Sequence, residues 1–180
     1  MTAEPVGVCV FCGSAASPRY LSLARELGAA LARRGARLVY GGATVGLMGA
    51  VAAGALEAGG EAWGVLPEGL RAREVGHLGL TRLEIVPDMA TRKARMDELS
   101  RAFVVLPGGF GTLDEWFEML TWQLLGLHDK PSVALDPDGY YDGLFAWAER
   151  AAADGLLAAR PHATLRRATS IDAALDAVLG

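Results

Sequence analysis

The sequence predicts an α/β fold: an open, mostly parallel sheet of about seven strands with helices on both faces, in one domain spanning residues 1–180. Three observations predict it. Short β-branched or apolar runs alternate with longer stretches of helical periodicity, the signature of parallel βαβ units. Several of those runs end in a glycine or proline cluster immediately before a helical stretch. The length suits one globular domain, and 52% hydrophobic with 21% charged residues is the balance of a packed chain, which excludes a disordered one.

The first apolar run, Val6 to Phe11, reads as a strand, and Arg19 to Arg34 follows as a helix. Arg37 to Tyr40 is the second strand and Gly46 to Ala58 the second helix; Glu61 to Leu66 and Arg82 to Val86 are the next two strands. A helix over Met89 to Ser100 leads to the strand Ala102 to Leu106, and a helix over Thr112 to Leu125 leads to the strand Ser132 to Leu135. Tyr141 to Ala153 and Ile171 to Leu179 are the last helices, with a short seventh strand near Ala163 to Arg167 between them. No internal repeat, low-complexity tract or linker interrupts this order.

Net charge is −4 and the basic residues are scattered, so a nucleic-acid partner is not expected. A small anion needs only one or two cations and some backbone N–H groups, so a phosphate remains open. The sequence has no apolar segment long enough for a membrane span and no leader pattern at Met1 to Pro5, which makes a cytoplasmic protein with no membrane partner the expectation. Cys9 and Cys12 form a CxxC, but a strand sends residues three apart to opposite faces. No second pair or nearby histidine completes a zinc site. Both are expected to be buried structural thiols.

Three strand-to-helix loops are glycine-rich: Cys12-Gly13-Ser14, Gly41-Gly42-Ala43-Thr44-Val45-Gly46, and Pro107-Gly108-Gly109-Phe110-Gly111-Thr112. In an open parallel sheet such loops gather at the carboxyl ends of the strands, where ligands bind. Glycines there let backbone N–H groups approach a ligand, and a helix N-terminus favours an anion. The plain alternative is that the glycines only turn the chain. Neither a P-loop ending nor a Gly-x-Gly-x-x-Gly after the first strand is present, so any phosphate is bound in another way.

Glu115 admits two readings. With Thr112 as N-cap it completes a T-x-x-E capping box. Alternatively it points from the first helical turn into the cleft as a carboxylate that stabilises positive charge or takes a proton from water. Arg92 and Lys93 stand in a first turn that the helix dipole makes unfavourable for cations, which asks for an anionic neighbour; a solvated basic face competes with Arg92 forking onto a phosphate or carboxylate. Ser14 and Thr44 could donate to a phosphate or cap their helices. His77, His128 and His162 lack a partner at motif spacing and read as surface or loop residues. Trp116, Phe117, Met119, Leu120 and Trp122 form the apolar side of one helix, mostly core, with one or two free to wall a pocket for a planar base.

Together, Gly41-Gly42 through Gly46-Leu47-Met48-Gly49, Met89-x-x-Arg92-Lys93 and Pro107-Gly108-Gly109-Phe110-Gly111-Thr112-x-x-Glu115 resemble the LONELY GUY (LOG) family of cytokinin riboside 5'-monophosphate phosphoribohydrolases, often labelled lysine decarboxylases. The likeness runs from Cys9 to Tyr140-Tyr141-Asp142. It implies a Rossmann-like fold and hydrolysis of the N-glycosidic bond in an N6-substituted AMP. Arg92 and Glu115 are cast as the catalytic pair. Ser14, Gly42, Glu74, Met89, Lys93, Gly108, Gly109, Phe110, Gly111, Thr112 and Thr121 are placed at the nucleotide or its phosphate. The resemblance further implies no metal or other cofactor, a small-molecule nucleoside monophosphate as ligand, and a homodimer or higher homo-oligomer with sites near the interface. Its rivals are an AMP or nucleoside-monophosphate hydrolase without a cytokinin role, and a nucleotide- or cofactor-binding protein of the same fold without turnover.

Overall fold

The computed structural model describes residues 4–71, 79–157 and 165–180. Seven strands form one sheet: β1 (Gly7–Phe11), β2 (Arg37–Tyr40), β3 (Ala62–Pro67), β4 (Arg82–Val86), β5 (Ala102–Val105), β6 (Ser132–Leu135) and β7 (Arg167–Ala168). Six α-helices accompany them among the described residues: α1 (Pro18–Arg33), α2 (Gly46–Glu57), α3 (Met89–Glu98), α4 (Phe110–Leu124), α5 (Asp142–Ala153) and α6 (Ile171–Leu179). The expected elements are all found, with ends moved by a few residues. The seventh strand is Arg167–Ala168, and the stretch before it from 158 to 164 lies outside the described residues.

The strand order is β4-β3-β2-β1-β5-β6-β7, and every pairing is parallel. Successive side chains along a strand alternate between faces, and the two cores follow from that alternation. Val8, Val10, Leu38, Tyr40, Val104 and Leu135 pack on one face with residues of α1, α2 and α6. Cys9, Phe11, Val39, Phe103, Val105 and Ala134 pack on the other with Met96 of α3 and Trp116, Met119 and Leu120 of α4. Strands covered on both sides must be apolar throughout, which is why they appear in sequence as unbroken apolar runs.

Cys9 and Cys12 fall in opposite cores and are both free and buried, as expected. Burial pushes both thiols well above the ordinary range, and the neighbouring Glu115 carboxylate adds to the shift. No helix among the described residues is long and apolar enough to cross a membrane. The chain leaves β1 toward β2 on one side and later returns to place β5 on the other. That reversal opens a crevice at the carboxyl ends of β1 and β5.

Candidate active site

A cavity of about 300 Å³ occupies that crevice. Its walls are Cys12 to Ala15 after β1, Met48 of α2, Met89 and Arg92 of α3, and Gly109 to Thr112 with Glu115 of α4. Ser14, Met89, Arg92, Gly109, Phe110, Gly111, Thr112 and Glu115 are therefore brought together, as the sequence led one to expect.

Arg92 and Glu115 form the buried floor, at 5% and 8% exposure. Their charged groups face each other, with Arg92 Nη1 3.8 Å from Glu115 Oε1. Two backbone carbonyls fix the rest of the guanidinium: Nε donates to Val65 O (3.1 Å) and Nη2 to Gly41 O (2.9 Å). These carbonyls belong to β3 and to the residue just after β2, so the sheet itself aims the arginine. Gly41 has to be glycine here, because a Cβ would lie on the Arg92 guanidinium and against Met48 Sδ.

The structure overturns the capping-box reading. Helix α4 begins at Phe110 with Gly109 as its N-cap, so Thr112 is its third residue and Glu115 lies in the second turn. The hydrophobic periodicity could not show this, because Gly109, Phe110 and Gly111 look like loop. Thr112 is buried, with its side chain pressed against Gly108.

The cations near the start of α3 find their anions. Asp88 caps α3 by accepting the Thr91 N–H at 2.7 Å, and this donation holds its carboxyl below the ordinary range. Lys93 pairs with Asp114 (3.1 Å) and with Glu118 of α4. Burial pulls its ammonium down, but these two partners outweigh burial and raise it. Lys93 therefore braces α3 against α4 and is not among the residues that line the cavity.

Other expected contacts are also redistributed. Gly42 lies outside the cavity wall; with φ +80° it turns the chain against Gly64 and Leu83. Thr121 is exposed near the end of α4 and donates to Phe117 O at 2.7 Å, so it does not reach the site within this chain. Gly108 borders a second cavity of about 200 Å³ with Tyr20, Leu47 and Tyr140, which adjoins the first at Gly13, Ala15 and Gly109. Glu74, His77 and His162 lie outside the described residues. His128 is in a loop, but its ring is packed inward against Phe103 at 5.7 Å, and burial lowers its pKa. None of Trp116, Phe117, Met119, Leu120 and Trp122 lines either of these two cavities. Met48, Cys12 and Gly13 are wall residues that the sequence reading named only as parts of motifs.

The three glycine loops do meet. Leu47 N–H donates to Gly13 O at 3.2 Å, and a Cβ on Gly46, whose φ is +58°, would strike Ser14. Gly109 and Gly111 behave differently. Neither has a positive φ, and a Cβ on either would meet nothing within 4 Å among the described residues. Neither backbone conformation nor packing demands glycine there, and the space beside them is the open cavity at the start of α4.

Residues 48–178 match the protein family described as "Possible lysine decarboxylase". A cytokinin riboside 5'-monophosphate phosphoribohydrolase of Rhodococcoides fascians is 46% identical over 97% of this chain and 89% of its own length. One from Arabidopsis thaliana is 42% identical over 83% of this chain and 71% of its own length. The fold resembles a molybdenum cofactor binding protein of Rippkaea orientalis, with a TM-score of 0.72 at 22% identity over 98% of this chain and 96% of that one. It also resembles the molybdenum cofactor carrier protein of Chlamydomonas reinhardtii, with a TM-score of 0.72 at 23% identity over 96% of this chain and 95% of that one. At that identity the likeness concerns the fold alone.

Proposed function

The chain belongs to the LONELY GUY family of cytokinin riboside 5'-monophosphate phosphoribohydrolases, and from this premise we propose that its larger cavity hydrolyses the N-glycosidic bond of an N6-substituted AMP. The products are the free adenine-type base and ribose 5-phosphate. The observation that carries the assignment is the buried Arg92–Glu115 pair beneath a helix N-terminus whose two glycines face open space.

The anion belongs at that helix start. The first N–H groups of a helix lack intrahelical acceptors and the dipole favours negative charge, so Gly109 to Thr112 offer a cradle for the 5'-phosphate. Glu115 lies further along α4, at the cavity floor, where the ribose would sit. Loss of the base develops positive charge at C1', which a carboxylate stabilises; the same group can take a proton from the attacking water. Water adds its hydroxyl to C1' and its proton goes to the departing base. Arg92, held by two carbonyls, orients Glu115 and the ligand.

Decarboxylation through a lysine Schiff base has no support in the placement of the chain's two lysines. Lys93 is engaged with Asp114 and Glu118, Lys130 with Asp97, and neither lines either of the two cavities described. A cytoplasmic location fits the same reading. So does a homodimer or larger assembly, because Met89 and Phe110 at the cavity rim are 40% and 94% exposed and would be covered by a second copy.

Incubation with isopentenyladenine riboside monophosphate, its riboside and AMP tests the proposal. Free base is expected chiefly from the prenylated monophosphate. Unchanged nucleotide would point to a binding protein, equal turnover of riboside would remove the phosphate cradle, and equal turnover of AMP would remove the cytokinin role.

A further inference from the structure

Two tyrosines hold the glycine loop from behind. Tyr140 and Tyr141 lie in the turn between β6 and α5, on a segment fixed by the buried Asp136 carboxylate. Asp136 accepts the Tyr140 N–H at 2.7 Å and the Tyr141 N–H at 3.1 Å, and it pairs with Arg167 of β7 at 3.3 Å. From that base the two side chains reach the loop. The Tyr141 hydroxyl donates to Leu106 O at 2.8 Å and the Tyr140 hydroxyl donates to Gly108 O at 2.9 Å. Burial raises the Tyr141 phenol well above its ordinary range, so it stays a donor across physiological pH.

A peptide unit is planar and trans, so the C=O of one residue and the N–H of the next point in opposite directions. Holding the Gly108 carbonyl toward Tyr140 turns the Gly109 N–H away from Tyr140. Tyr140 borders the smaller cavity and is absent from the walls of the larger one, whereas Gly109 borders both. The N–H fixed in this way turns from the Tyr140 side of Gly109, a residue that the two cavities share. Leu106 O, held by Tyr141, anchors the other side of Pro107, which has no N–H of its own.

We propose that Tyr140 and Tyr141 are positioning residues that preset the glycine loop for the substrate's phosphate by holding the Leu106 and Gly108 carbonyls in place. This rests on the reading that the loop takes the phosphate. The pair touches no reacting atom, and its effect is on discrimination between monophosphate and riboside.

Tyr140→Phe isolates the effect, since Tyr140 is half-exposed and only a hydroxyl is removed. Tyr20→Phe is the control: its ring packs edge-on against Tyr140 at 5.8 Å and borders the same smaller cavity, but its hydroxyl goes to Asp138 rather than to the loop. Steady-state kinetics with monophosphate and riboside, together with melting temperatures, are measured for parent and both variants. In Tyr140→Phe, KM for the monophosphate should rise about three- to tenfold, the range that one neutral hydrogen bond supports. Its kcat and its KM for the riboside should stay at parent values with the melting temperature down by no more than a few degrees, and Tyr20→Phe should match the parent in every kinetic constant. A Tyr140→Phe enzyme with the parent's KM ratio, or one weakened equally toward both compounds, overturns the inference and leaves the proposed function standing. A parent enzyme that does not prefer the monophosphate overturns both.

Discussion

In the loop after β2, a side chain added at Gly41 would displace the Arg92 guanidinium, and one added at Gly46 would run into Ser14. In the loop after β5, a side chain added at Gly109 or Gly111 would meet nothing within 4 Å among the described residues. Both loops are glycine-rich and both join a strand to a helix. The first uses its glycines to let protein atoms come together, as the second does at Gly108 beneath Thr112, whereas Gly109 and Gly111 leave room that no atom of the described residues fills. A run of glycines therefore points to a ligand only where the fold has no use of its own for the missing side chain.

The largest break in this arrangement should come from Arg92→Ala. It removes the guanidinium that faces the buried Glu115 and frees the carbonyls of Gly41 and Val65, so stability should fall by about 3 kcal/mol. The loss of an oriented charged donor should lower kcat/KM by about 10²–10³. Denaturant titration and base-release kinetics read the two effects separately. Next comes Gly41→Ala, which overfills the slot from the packing side. A loss of about 1–3 kcal/mol is expected, with kcat at least about tenfold lower because the guanidinium is displaced. Parent-like melting and turnover would mean that Gly41 is not what makes room for Arg92.

Gly109→Ala and Gly111→Ala test the other loop and should show the reverse pattern. Stability should stay within about 0.5 kcal/mol for Gly109, and alanine in the first turn of α4 should stabilise by up to about 1 kcal/mol at position 111. KM for the monophosphate should still rise severalfold while that for the riboside does not. Variants that lose stability and keep phosphate discrimination would reverse the contrast between the loops. The smallest effect concerns Cys9 and Cys12. Because burial raises both thiols and keeps them protonated, neither should react measurably with iodoacetamide in the native protein, and both should react in denaturant. Native alkylation of Cys12, monitored by mass spectrometry, would show the cavity wall to be more open than the structure has it.

Much of the fold was legible because a doubly covered parallel sheet writes its strands as apolar runs such as Val8 to Phe11 and Ala102 to Val105. The meeting of Arg92 and Glu115 was legible through the motifs that carry them. The start of α4 was not, since Phe110 between two glycines has no helical pattern and its side chain is almost fully exposed. Nor was the difference among the glycines: Gly41, Gly42, Gly109 and Gly111 are one letter in sequence and are separated only by what lies beside each. Lys93 and Thr121 show the same limit. Their partners, Asp114 with Glu118 and Phe117 O, depend on which way a helical side chain turns. The hydroxyl contacts of Tyr140 and Tyr141 link residues 32 and 35 positions apart, a distance that no local pattern spans.

The central claim is that Glu115 at the cavity floor carries the cleavage of the base from a nucleoside monophosphate. Glu115→Gln keeps the side chain's shape and removes its charge, so circular dichroism and monophosphate binding can show that the site remains. Chromatographic release of free base from the prenylated monophosphate should then fall by about 10²–10⁴ relative to the parent. Base release at the parent rate by folded, ligand-binding Glu115→Gln protein would contradict the account.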